Sequence, residues 1–185
     1  MKQLPDHQLL TERYNLSPEF PTGLSFKTRF NNRCKVNAQA GTYNPETKRS
    51  YLRINGTNFQ CSRVVYYLAT GIDPGIHEVD HIDQDSANNC ITNLRLATRS
   101  QNATNMKRKS SNTTGFKGVS WHKARNLFRV TISIKQKSRQ LAHHICPARL
   151  AYTYNQAAIK EQGEFAVLNV LPKLSCQTLG FGYSI

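Results

Sequence analysis

The 185 residues carry 25 Lys and Arg against 11 Asp and Glu, a formal net charge of +14 at pH 7. With 38% hydrophobic and 19% charged residues, the chain suits one or two small globular domains rather than a single large core. The longest uninterrupted apolar run, Val64 to Ala69, is too short to cross a bilayer, and Met1 to Asp6 has no signal-peptide core.

The five cysteines (Cys34, Cys61, Cys90, Cys146 and Cys176) are odd in number, widely spaced and without a C-x-x-C pair, which argues against a disulfide scaffold and a cysteine zinc site. The expectation is an intracellular, cytoplasmic protein, not secreted and not in a membrane. Its charge is segregated. Residues 86–160 contain no acid and 14 Lys or Arg, whereas the rest of the chain is balanced at 11 of each sign. Such a block repels itself unless a polyanion offsets it, and solvated faces normally mix both signs. Nucleic acid is the expected partner.

In chain order, residues 1–23 are polar with three prolines and read as an arm. Leu24 to Val36 suggests a strand. Leu52 and Ile54 alternate, Asn55-Gly56 follows, and Phe59 and Cys61 alternate again, which predicts a hairpin on a type I′ turn. Ser62 is placed to cap a helix over 63–69 that Gly71 closes. Glu78 to Ile82 and Asn93 to Leu96 read as short strands around a loop rich in Asp, Asn and Ser. Thr98-Arg99-Ser100-Gln101 fits a capping box for a helix over 99–107. Residues 108–114 read as a linker. Beyond it, Phe116 to His122, Leu127 to Ile134 and Ser138 to His143 are predicted strands. A helix starts at Pro147 and runs to about Lys160. The expected fold class is α+β, divided as arm 1–23, first domain 24–107, linker 108–114, second domain 115–170 and tail 171–185.

The strand–loop–strand–helix unit gathers a carboxylate (Asp80), an imidazole (His81) and two carboxamides (Asn93 and Asn102) beside the basic block. Phosphodiester hydrolysis needs a nucleophile, a base and positive charge on the departing oxygen. Neutral His81 is suited to take a proton from water, help typically worth about 10²- to 10⁴-fold. A divalent ion at Asp80 would neutralise charge on the phosphate. Asp80 and His81 are adjacent on a strand, so their side chains face opposite ways unless the strand end twists. Asp83 and Asp85 read as loop formers, His77 as surface, and His143-His144 as no metal site.

Val79-Asp80-His81-Ile82-Asp83, Asn88-Asn89, Asn93-Leu94-Arg95 and Gln101-Asn102-Ala103 resemble the HNH endonucleases. The closest form is the branch, shared by phage and intron homing enzymes, whose final histidine is replaced by asparagine. The resemblance covers roughly 24–106. It implies a ββα-metal fold with His81 as general base and Asp80 with Asn102 as metal ligands. Asn93 would bridge the loop and help orient His81. An amide in place of imidazole argues for one Mg²⁺ or Mn²⁺ and against Zn²⁺.

The second domain opens with Thr114-Gly115-Phe116-Lys117-Gly118-Val119-Ser120-Trp121. It continues through Ala148-Arg149-Leu150-Ala151-Tyr152 and ends on Gly163-Glu164-Phe165-Ala166-Val167-Leu168-Asn169. Over about 55 residues it resembles the AP2 DNA-binding domain, which implies a three-stranded antiparallel sheet backed by one helix. A sheet of this kind can enter the major groove. Its exposed face is expected to carry Lys117, Arg125, Arg129, Lys135, Lys137 and Arg139. Trp121 is placed either to stack on DNA or to pack in the core. Arg95, Arg99, Lys107, Arg108, Lys109 and Lys123 complete the expected DNA contacts.

The combined expectation is a site-directed DNA endonuclease of nicking or homing type, acting on double-stranded DNA as a monomer without a small-molecule cofactor. Its products would be 5′-phosphate and 3′-hydroxyl ends. The alternative is a non-catalytic DNA-binding regulator that uses the AP2-like domain.

Overall fold

The structure is a computed structural model that describes residues 3–29, 31–106, 108, 110–135 and 137–172. The chain divides into two compact units, Met1–Arg99 and Ser100–Ile185.

The first unit opens with helix α1 (His7–Arg13), capped by Asp6, whose carboxylate accepts from the Gln8 amide at 2.8 Å. Strand β1 (Tyr14–Leu16) follows directly and pairs antiparallel with β2 (Leu24–Phe26). The segment expected as an arm is therefore part of the core: Leu4, Leu10 and Tyr14 are buried with Leu24, Leu52, Ile54, Phe59 and Val64. Full burial of a Leu or Val side chain is worth about 1.5–3 kcal/mol, so such residues anchor the entry to the fold. The strand expected over 24–36 is confined to β2.

A second sheet has the order β3 (Thr42–Asn44), β4 (Arg49–Ile54), β5 (Thr57–Gln60). The β4–β5 hairpin turns on Asn55 and Gly56, with φ of 48° and 78°, the positive values that a type I′ turn requires. Strand β5 runs straight into helix α2 (Cys61–Thr70), so Ser62 lies inside the helix and Gln60 stands at its N-cap without a side-chain hydrogen bond. Gly71 ends the helix in the left-handed conformation, as its position after the apolar run predicts.

Arg63 on α2 is buried, which is tolerable because its guanidinium donates to the His77 carbonyl at 2.7 Å and the Gly75 carbonyl at 2.9 Å. These bonds tie α2 to the segment that leads into β6 (Glu78–His81). That strand pairs antiparallel with β7 (Leu94–Ala97), which a 3-10 turn over Ile91–Asn93 precedes.

The second unit contains most of helix α3 (Arg99–Thr104), which ends short of the predicted Lys107. Its sheet has the order β10 (Lys137–His144), β9 (Leu127–Ile134), β8 (Val119–His122), and helix α4 (Pro147–Gln162) packs against it. The core is Val119, Val130 and Ile132 against Leu150, Ala151, Tyr154 and Ala158, small residues on α4 allowing the close approach. Gly118 is required here. Its φ is 79°, and a Cβ would lie 2.3 Å from the Tyr154 ring and 2.7 Å from the Thr131 carbonyl oxygen. The expected linker is partly structured, since the Asn112 carboxamide donates to the carbonyls of Phe116 and Val119 at 2.8 and 2.9 Å.

Candidate active site

In the β6–β7 ladder Asp80 stands opposite Arg95 and His81 opposite Leu94. Asp80 is buried, and the Arg95 Nε and Nη2 both reach its Oδ2 at 3.0 Å. The pairing follows from register, because directly opposed residues on an antiparallel pair share a face. Arg95, expected as a DNA contact, therefore commits its guanidinium to Asp80.

The imidazole of His81 has a different partner: its Nε2 lies 3.2 Å from Asn89 Oδ1. Asn89 is buried, and its Nδ2 donates to the Pro21 carbonyl at 2.6 Å. That bond fixes the amide, because only the NH₂ end can donate to a carbonyl. The oxygen then faces His81 and must accept, so the neutral ring carries its proton on Nε2 and Nδ1 is the basic nitrogen. Gly23 makes room for this arrangement: a Cβ there would lie 2.7 Å from the Asn89 carbonyl oxygen, at a φ of 71°.

The loop between the strands is closed by Asn93. Its Oδ1 accepts from the Asp83 amide at 3.0 Å, while its Nδ2 donates to Asp83 Oδ1 and to the Asn88 carbonyl, both at 2.9 Å. The Asn93 carbonyl also accepts from the Ile82 amide at 2.9 Å, directly beside His81. Asn88 completes the loop by donating to Asp83 Oδ2 at 2.8 Å. Burial raises the Asp83 carboxyl, but hydrogen bonds from the Asp85 amide, Asn88 and Asn93, with the charge of His81, hold it below its ordinary value.

Asp80, His81 and Asn93 are thus brought onto one short hairpin. Asn102 is half-buried on α3, and its helix is counted almost wholly with the second unit. Among the described residues no three His, Cys, Asp or Glu side chains cluster as a metal cradle. A site of one carboxylate with carboxamides needs no such cluster. The oxygen-donor chemistry of a carboxylate with carboxamides fits a hard divalent cation. Asn89 is the residue that the sequence reading left out of the site. Its place beside Asn88 in the motif was visible, but its anchor at Pro21 lies 68 residues away.

The HNH endonuclease family model matches residues 60–104, which span this hairpin and α3. Protein 3.8 of Escherichia phage T7 is 35% identical over 102 residues, 55% of this chain and 84% of that protein. The chain carries an HNH endonuclease domain over residues 60–104. An uncharacterized HNH endonuclease of Acanthamoeba polyphaga mimivirus is 34% identical over 111 residues, which cover 60% of this chain and 57% of that protein. No solved structure matches the chain. No helix among the described residues is long and apolar enough to cross a membrane.

The second unit of this HNH protein distributes the expected DNA contacts unevenly. On β9 the core residues Val130 and Ile132 define the face toward α4, so Arg129, Thr131 and Ser133 occupy the outer face. Trp121 lies opposite Phe128, Lys137 opposite Ile134 and Arg139 opposite Ile132, so all three share the α4 side. Trp121 is 45% exposed and meets Phe128 edge to face at 4.8 Å. Lys123 and Arg125 sit in a 3-10 turn, and Lys135 in the β9–β10 turn with a φ of 47°.

Lys117 precedes the sheet altogether. Its ammonium donates to the Thr104 and Met106 carbonyls at 2.6 and 2.8 Å, and burial lowers its pKa to about 8. Arg108 donates to the Asn112 carbonyl at 2.7 Å, and Arg99 begins α3. Lys107 and Lys109 lie outside the described residues. Arg129 is the one expected sheet-face cation whose register places it on the outer face.

Proposed function

We propose that the chain is a metal-dependent DNA endonuclease that hydrolyses a phosphodiester to 5′-phosphate and 3′-hydroxyl ends, with the second unit acting as an AP2-like DNA-binding domain. The observation that carries the reading is the orientation of His81. Asn89 Oδ1 accepts a hydrogen bond from Nε2 and its amide is itself tied to Pro21, so the ring is turned to use Nδ1 as the base toward the attacking water. Asn93 holds the loop closed beside that ring, so its role is positioning. Asp80 would hold one Mg²⁺ or Mn²⁺, with Asn102 the second ligand that the resemblance implies. When bound, such a cation supplies positive charge to the phosphate and the departing 3′ oxygen. Arg95 fixes the direction of the Asp80 carboxylate through two contacts to Oδ2.

The segregated positive charge supports double-stranded DNA as substrate: the acid-free stretch 86–160 contains every strand of the β8–β10 sheet. One site per chain cuts one strand, so a monomer is expected to nick. Supercoiled plasmid incubated with Mg²⁺ should be converted to the open circle, and chelator should stop the conversion. DNA ligase should reseal the nick, because a 5′-phosphate and a 3′-hydroxyl are its substrates. Binding without nicking under any divalent cation would favour a regulator instead.

A further inference from the structure

One corner of the outer face of the β8–β10 sheet gathers cations that have no counter-ion among the described residues. Arg129 on β9 is flanked across the ladder by Ser120 on β8 and His143 on β10, and its Nε donates to Ser120 Oγ at 3.2 Å. His122 lies diagonally beside them, with its ring 5.4 Å from that of His143 and nearly perpendicular to it. His122 Nδ1 and His143 Nε2 are both shielded from solvent and have no hydrogen-bond partner. A buried polar atom without a partner is costly, so two on neighbouring rings mark a place where a ligand belongs.

The surrounding charge selects the ligand. Arg125 and Arg129 both act on His143, Lys123 shares the turn with Arg125, and residues 86–160 hold no acid. Partial burial, then the charges of Arg125, His122 and Arg129, keep His143 below the ordinary imidazole pKa. His144 takes no part: it lies opposite Phe128, on the α4 side, where its Nδ1 accepts from the Cys146 amide at 2.9 Å. Two guanidinium groups would repel a metal cation from the imidazole pair, whereas an oxyanion would relieve the repulsion and accept from the unpartnered ring nitrogens once they are protonated.

We propose that His122 and His143, with Arg125 and Arg129, form a seat for one backbone phosphate of double-stranded DNA, and that protonation of the imidazoles strengthens its grip. The proposal rests on the reading of the second unit as DNA-binding and adds a named phosphate site with a pH-dependent affinity. Protonation adds a donor and a positive charge to each ring, so binding takes up protons and affinity rises as pH falls through the histidine range.

The test is fluorescence anisotropy of the full chain with a labelled duplex of mixed sequence, in EDTA and at constant ionic strength, so that no cleavage is needed. The wild type should bind about 3- to 10-fold more tightly near pH 6 than near pH 8. The His122→Gln/His143→Gln double variant, with an unchanged melting curve, should lose that gain. His143→Lys, which keeps a charge at both pH values, should bind tightly at both. A double variant that retains the pH gain, or a wild type whose affinity does not change with pH, overturns the phosphate seat and leaves the nuclease reading standing. A wild type that does not bind duplex DNA overturns the seat and the reading of the second unit together.

Discussion

The β6–β7 hairpin and the outer face of the β8–β10 sheet answer the same physical demand in opposite ways. In the hairpin, each charge and carboxamide described here is met within the protein: Asp80 by Arg95, Asp83 by Asn88 and Asn93, and Asn89 by Pro21. On the sheet, Arg125 and Arg129 flank imidazoles whose shielded nitrogens have no partner. A reacting group must be held in one geometry before substrate arrives, so the protein supplies the partners. A surface for a polyanion can leave its charges unmet, because the ligand meets them.

Breaking the Asp80–Arg95 pair should have the largest effect. Arg95→Ala leaves a buried carboxylate without its counter-ion, and removal of one partner from a buried ion pair costs about 3–5 kcal/mol. Denaturant unfolding should show that loss; a change below about 1 kcal/mol would mean that the pair is solvated and that Asp80 needs no internal partner. In the second unit, Gly118→Ala places a Cβ against Tyr154 at a positive φ. It should cost about 1–3 kcal/mol by overpacking and backbone strain, with DNA affinity lost only as far as the unit unfolds. A melting temperature equal to wild type would show that the close approach of α4 to β8 is wrong.

Asn89→Ala sharpens the contrast by removing a partner without removing a reacting group. With His81 free to change tautomer, kcat should fall about tenfold while KM stays near its wild-type value. A loss confined to stability, with kcat intact, would make Asn89 a packing residue and Nδ1 no longer the assigned base.

Much of this was legible where the determinants are local. Asn55-Gly56 fixed a hairpin, and the alternation of Phe128, Val130, Ile132 and Ile134 located β9 with the bounds that the structure gives it. Asp80, His81 and Asn93 were readable because a single hairpin carries them. The failures are tertiary. Leu4, Leu10 and Tyr14 have no period that a seven-residue helix could display, and their burial depends on α2 far along the chain. Lys137 and Arg139 were expected on the DNA face and Trp121 either there or in the core, a choice that depended on a register the sequence did not set: their partners are Ile134, Ile132 and Phe128, on the α4 side. Arg95 was read as one more cation of the basic block because its partner, 15 residues away, is defined only by the β6–β7 pairing. Asn89 was missed because the carbonyl that turns its amide belongs to a segment read as an arm.

The most direct measurement compares wild type and His81→Ala in the same preparation, scoring plasmid nicking with Mg²⁺ and duplex affinity in EDTA. Removal of the base should slow nicking by about 10²-fold or more and leave the dissociation constant within about twofold. Nicking at the wild-type rate, or a parallel loss of DNA affinity and folding, would contradict the assignment of His81 as the group that takes the proton from water.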